Sequence, residues 1–105
     1  MASGRLGASD LSATTNTSVY TVPASKVATV SVSICNRNAT SVTVRLAVST
    51  SGTPNDADYL EYDTTIDANS VLERTGIVMD ETKVLVAYAS GTGVSVVAYG
   101  FEGNA

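Results

Sequence analysis

The chain has 105 residues, of which 44% are hydrophobic and 15% charged, and its formal net charge is −4. This length suits a single domain with one core. The acidic balance disfavours nucleic-acid binding, which needs clustered Lys and Arg, and the lack of any apolar run of about eighteen residues excludes a membrane-spanning helix.

The residue types favour strands over helices. The chain contains 15 valines and 27 serines and threonines, and β-branched side chains fit a pleated sheet better than a helix. Cys35 is the single cysteine, so an intrachain disulfide is excluded. The first residues also lack the apolar stretch of a signal peptide. We therefore expect the protein to be made and assembled in a reducing cytoplasm.

Residues 1 to 16 are rich in Gly, Ala, Ser and Thr and show no sustained hydrophobic period. This composition predicts a flexible N-terminal arm. A β-domain is then predicted over residues 17 to 105, with a short strand in "SVYTV" before Pro23. Arg5 and Leu6 lie in the predicted arm, which could add a strand to the exposed sheet edge of a neighbouring protein.

The clearest pattern follows in "ATVSVSI" and "VTVRLAV". Apolar and polar residues alternate strictly in both segments, which predicts strands with one buried and one wetter face. Val32 and Val44 are predicted to be buried, and Thr29 and Thr43 to lie on the wetter faces. The turn-rich "NRNATS" between the two segments suits a hairpin.

The rest of the chain repeats this succession of short apolar runs and turns, with strands expected in "YLEYD", "SVLERTGIVM", "KVLVAYAS" and "VSVVAYGF". The link Gly91-Thr92-Gly93 predicts a hairpin between the last two strands. Because Val96 and Val97 are adjacent, the last strand is expected to be central and covered on both faces, or to bulge near Gly100. The chain is therefore predicted to be all-β, a single antiparallel β-sandwich or small barrel of about seven or eight short strands.

Half of the ten acidic residues fall in "TPNDADYLEYDTTIDAN", which raises the question of a metal site. Counted from Asp56, a helix–loop–helix calcium loop would need Gly at its sixth position, where Glu61 stands. The chain also contains no His. We therefore predict no metal ion and no other cofactor, with an irregular β-loop calcium site as the alternative.

The same segment is predicted to place Tyr59, Glu61 and Asp63 on one strand face, since side chains alternate along a strand. Two carboxylates on an exposed strand lack the cleft and the shifted pKa values that acid–base catalysis needs. No serine or cysteine has a His partner for nucleophilic catalysis. We interpret the segment as an interaction surface without enzymatic chemistry, and Arg74 and Arg45 are the candidates to meet its carboxylates, within the chain or across an interface.

Three stretches, "GRLGASDLSATTNTSVYTVP", "TPNDADYLEYDTTIDANSVLERTGIVMD" and "VSVVAYGFE", resemble small virion structural proteins of tailed bacteriophages of the marine and cyanobacterial type. The likeness extends over nearly the whole chain. It lies in the overall sequence and includes no motif that carries a mechanism. It implies a non-enzymatic part of the particle and supplies no catalytic residues.

We therefore expect a bacteriophage structural protein, most simply a capsid decoration or cement subunit on the major capsid protein, assembled in the bacterial host cytoplasm. The alternatives are a tail, neck or fibre component and, from another class, a carbohydrate-binding β-sandwich module. A homo-oligomer is expected, with a trimer as one candidate, and neither nucleic acid nor a membrane is expected as a partner. The expected protein-interaction residues are Arg5, Leu6, Tyr59, Glu61, Asp63 and Arg74.

Overall fold

The computed structural model describes residues 3–105, which form a β-sandwich as the sequence predicts. Its strands are β1 (Ser3–Leu11), β2 (Thr17–Thr21), β3 (Lys26–Asn36), β4 (Val42–Ser49), β5 (Tyr59–Ile66), β6 (Val71–Met79), β7 (Val84–Ala89) and β8 (Val94–Asn104). The first sheet has the order β1-β8-β3-β6, and the second has the order β2-β7-β4-β5. All neighbouring strands are antiparallel. The two predicted hairpins are wrong, because β3 and β4 lie in different sheets, as do β7 and β8, and both connections cross from one sheet to the other. In the described residues, no helix is long and apolar enough to cross a membrane.

The alternation in β3 and β4 places the core between the two sheets. Val32 and Val44 are buried, and Thr29 and Thr43 lie on the half-exposed outer faces, so the predicted faces are confirmed. Removing these valine side chains from water is the main favourable contribution such strands make to folding.

The N-terminal segment differs from the expected flexible arm. Residues 3–11 are the edge strand β1 of the first sheet, paired with β8 from Ser3 opposite Phe101 to Leu11 opposite Val94. Leu11 is buried, and a Cβ on Gly7 would overlap the carbonyl oxygen of Val19 in β2. The pairing uses backbone groups, which every residue type supplies, and for that reason composition did not predict it. Residues 1 and 2 of the predicted arm lie outside the described residues.

Asn36 is a fully buried polar side chain at the end of β3. Its amide nitrogen donates to the carbonyl oxygens of Thr40, Ile66 and Asp67 at 2.9, 3.2 and 3.1 Å. Its amide oxygen accepts from the backbone and side-chain nitrogens of Asn38, both at 3.0 Å. The two amide hydrogens are shared among three carbonyl oxygens and the amide oxygen accepts twice, so the side chain ties the β3–β4 turn to the β5–β6 turn.

A second buried polar contact joins the sheets at the opposite end of the core. The Tyr20 hydroxyl on β2 donates to the Glu102 carboxylate on β8, and both residues are buried. Burial, together with the hydrogen bond to Glu102, raises the pKa of the Tyr20 hydroxyl well above its usual value. The hydroxyl therefore stays protonated and remains a donor to the carboxylate.

We predict that Val32→Ala and Val44→Ala each lower the free energy of unfolding by about 1–3 kcal/mol, because each leaves a cavity in the core. Thr29→Ala and Thr43→Ala, on the outer faces, should cost less than about half of that. Urea unfolding measures all four. Equal, small losses at the four positions would contradict the face assignment.

We predict that Asn36→Ala lowers the free energy of unfolding by about 3 kcal/mol, because it leaves three carbonyl oxygens without their donor. Asn38→Ala is the matched control. Asn38 is half-buried, and its removal should cost about 1 kcal/mol. The assignment of Asn36 as the tie between turns is wrong if the two variants unfold at the same urea concentration.

Candidate interaction surfaces

The loop between β4 and β5, residues 50–58, folds over the outer face of the second sheet. Beneath it lies a small buried cluster of Ala47, Val84 and Val86. Tyr59, at the end of the loop, packs against this cluster. The loop also reaches β2, where a Cβ on Gly52 would lie 3.2 Å from Ser18 Oγ. This sheet therefore has part of its outer face covered by its own chain.

Next to this loop, Arg45 lies between two tyrosine rings. Its guanidinium carbon is 4.2 Å from the ring centroid of Tyr62 and 4.4 Å from that of Tyr88, and the ring faces attract the cation. Arg45 Nε donates a 2.6 Å hydrogen bond to Asp63 Oδ1. Tyr59 meets the Tyr62 ring edge to face, with centroids 4.9 Å apart. The arginine is thus held from three sides.

The ion pairs set the protonation of two exposed carboxyls. The hydrogen bond from Arg45 holds the pKa of the Asp63 carboxyl below its usual range. In the turn before β7, the hydrogen bond from Lys83 likewise lowers the pKa of Asp80. A general acid at neutral pH would need the opposite shift, so neither carboxyl is suited to that role.

Glu61 does not share a face with Tyr59 and Asp63, so that part of the prediction is wrong. The pairing of β5 with β4 shifts register twice, and Asp63 has a φ angle of 52°. Such bulges break the strict alternation of side chains. Glu61 Oε2 instead accepts a 2.6 Å hydrogen bond from Arg74 on β6, and Glu61 Oε1 accepts from the Thr64 hydroxyl at 2.8 Å.

Both expected partners of the acidic strand are found within the chain. Arg45 pairs with Asp63, and Arg74 pairs with Glu61 across the edge strands of the two sheets. Internal partners already offset these two carboxylates. Their role in recruiting a basic neighbour stays a prediction, and the exposed side of β5 presents aromatic rings more than unpaired charge.

An open depression of about 250 Å³ lies beside the tyrosines and is lined by Asp56, Tyr59 and Tyr62. Two aromatic rings next to a carboxylate have the chemistry to stack on a sugar ring and to accept hydrogen bonds from its hydroxyls. In residues 3–105, no group of three or more His, Cys, Asp or Glu side chains is placed to hold a metal ion.

Arg5 and Leu6 lie away from the acidic strand, on the edge strand β1 of the first sheet. Arg5 is exposed and stands opposite Tyr99 of β8, whereas Leu6 is half-buried and packs against the core. The other four predicted interaction residues lie on β5 and β6. The six therefore do not form one continuous surface.

The outer face of the first sheet is an apolar surface that sequence reasoning did not identify. Four of the five large hydrophobic residues exposed in residues 3–105 lie on it: Val71 (49% exposed), Val78 (68%), Tyr99 (38%) and Phe101 (56%). The register places Val78 and Phe101 on either side of Thr29. These exposures mean that the described chain leaves this face bare.

One pattern in the sequence points to this face. The inward residues of β8 are buried, and its outward residues Val97, Tyr99 and Phe101 are also large and apolar. The expectation of a central strand is confirmed, since β8 lies between β1 and β3. The core covers only one of its faces. A central strand with large apolar side chains on its outward face is typical of a strand whose second face is also covered, by another element or another protein.

No protein-family model matches this sequence, and no significant similarity is found to a curated protein or to a solved structure.

We predict that the Arg45–Asp63 pair contributes stability that acid removes. Because the folded pKa of Asp63 lies below its unfolded value, the contribution is present above the unfolded pKa of about 3.9 and is lost as pH falls through the folded pKa. Asp63→Asn should flatten the fall in Tm below about pH 4. Asp56→Asn, which removes another exposed carboxylate of the segment, is the control and should leave the parent profile. Identical profiles for Asp63→Asn and the parent would contradict the prediction.

Proposed function

We propose that the protein is a non-enzymatic structural subunit of a bacteriophage particle, most simply a capsid decoration subunit. The observation that carries the proposal is the bare, apolar outer face of the first sheet. The central strands β3 and β8 present no charged side chain outward between Thr29 and Cys35 or between Ser95 and Phe101. Surfaces of this kind on small domains are typical of protein–protein contacts.

The sequence supports the particle as the setting of that contact. The chain resembles small virion structural proteins over nearly its whole length, and Glu61 and Asp63 of the acidic segment are engaged in ion pairs. A domain of 105 residues has a modest core, and association that covers a further apolar face adds to its stability.

A carbohydrate-binding role is the second candidate. It is favoured by the depression between Asp56, Tyr59 and Tyr62, and by Tyr62, which is 57% exposed although both Arg45 and Tyr59 hold its ring in place. A preordered aromatic ring loses little conformational entropy when it stacks on a ligand. Glycan-array binding that disappears in Tyr62→Ala and persists in Phe101→Glu would favour this role.

Particles that lack the protein provide the test of the proposed function. The purified protein should bind such particles, and binding should be weakened about tenfold or more by Phe101→Glu, which places a charge in the apolar face. Tyr62→Ala is the matched control, because Tyr62 is equally exposed on the other sheet. Labelled antibodies on intact particles separate a capsid position from a tail position. Failure of the parent protein to bind any part of the particle overturns the proposal.

A further inference from the structure

We propose that the outer face of the first sheet is covered by a second copy of this chain, which packs face to face around a two-fold axis parallel to the strands. The inference deepens the proposed function by naming the occupant of the bare face, and it rests on that proposal. Four observations support it: the shape of the face, its charges, its area and its contrast with the second sheet.

The shape of the face is self-complementary. The outward side chains of its two central strands differ in size, because β8 presents Val97, Tyr99 and Phe101 whereas β3 presents mostly small hydroxyl residues. A two-fold axis between β3 and β8 places the β8 of each copy over the β3 of the other. The register then sets Phe101 of one copy over Thr29 of the other. Large side chains thus meet small ones twice, as aligned sheet packing requires.

The charges at the rim are also self-complementary. Arg5 lies on the edge strand β1 and Glu73 on the opposite edge strand β6. The same two-fold axis brings β1 of each copy over β6 of the other. Arg5 is level with Ser31 and Glu73 with Ser33, about 7 Å apart along the strands, within reach of an arginine side chain. Neither residue makes an ion pair among residues 3–105.

The remaining carboxylate on this face does not oppose association. Asp10 of β1 bonds Arg37 within the same chain. With Arg5 and Glu73 of opposite sign, the face is electrically neutral although the whole chain carries −4. Two copies can therefore approach through this face without the repulsion that their other surfaces impose.

The area suits a reversible dimer. Four strands spaced by about 4.8 Å and about nine residues long cover roughly 550 Å². A face-to-face pair then buries roughly 1,100 Å² in total, which lies at the lower end for specific complexes. The second sheet differs, because residues 50–58 and the Arg45 cluster cover part of its outer face.

Sedimentation equilibrium of the purified full chain, from about 1 µM to about 1 mM, is the first test. The parent should form dimers, and Phe101→Glu should raise the dissociation constant about tenfold or more. Tyr62→Glu, an equally exposed aromatic residue on the other sheet, should leave it unchanged. Far-UV circular dichroism checks that each variant is folded. A parent that stays monomeric, or one that forms a trimer, overturns the inference.

Charge reversal tests the two-fold geometry directly. Arg5→Glu alone and Glu73→Arg alone each create two like-charged contacts in a homodimer, so each should weaken dimerisation roughly fivefold at low salt. An equimolar mixture of the two variants restores both opposite-charge contacts and should dimerise about as tightly as the parent. A mixture that dimerises no better than either variant alone overturns the proposed arrangement.

The particle-binding experiment separates this inference from the proposed function. A monomeric chain that still binds particles overturns the two-fold dimer and leaves the structural role standing. A dimer that behaves as described and binds no particle supports the dimer and overturns the proposed function.

Discussion

The fold depends on one buried amide. Asn36 is inaccessible to solvent, and it binds backbone groups of both the β3–β4 and the β5–β6 connections. Through Asn38, whose side chain also donates to the Thr92 carbonyl at 2.7 Å, the same network reaches the β7–β8 turn. Three connections that cross between the two sheets are thus tied together at one end of the sandwich by the side chains of Asn36 and Asn38. Because each connection joins a strand of one sheet to a strand of the other, this network positions the ends of the two sheets relative to each other. Directional hydrogen bonds serve this role, and apolar packing has no equivalent of them.

The two outer faces of the sandwich differ in their cover and in their chemistry, so the two sides of the molecule present different surfaces. On the second sheet, the loop over residues 50–58 makes a small second core, and Arg45 is held by two tyrosine rings and a carboxylate. On the first sheet, apolar side chains face water. Charges are largely kept at its edge strands, where they deter unwanted strand pairing and define which arrangement of neighbours is electrostatically favourable.

Sequence reasoning predicted the parts of the fold that depend on alternation. The faces of β3 and β4, the all-β class and the partners Arg45 and Arg74 follow from period two and from charge. The strand β1 was not predicted from the sequence. Its Gly- and Ser-rich residues are held by backbone pairing with β8 and by the close contact of Gly7 with β2. The faces of β5 were predicted wrongly, because Asp63 has a φ of 52°. That backbone conformation belongs to the bulged pairing with β4, and no pattern of residues in the sequence predicts it. Likewise, an apolar residue such as Phe101 looks the same in a sequence whether a core or a partner covers it.

The acidic segment shows how the same residues can suggest a site and yet form a scaffold. Glu61 is drawn to Arg74 on the facing sheet, so it helps to close the open side of the sandwich between two edge strands. Asp63 accepts a hydrogen bond from Arg45, whose guanidinium lies between the rings of Tyr62 and Tyr88. Partly exposed pairs of this kind contribute little net stability. Their contribution is to geometry, because they link β5 to β4 and to β6. The acidic segment thus helps to pack the second sheet on itself, whereas the first sheet keeps an apolar outer face.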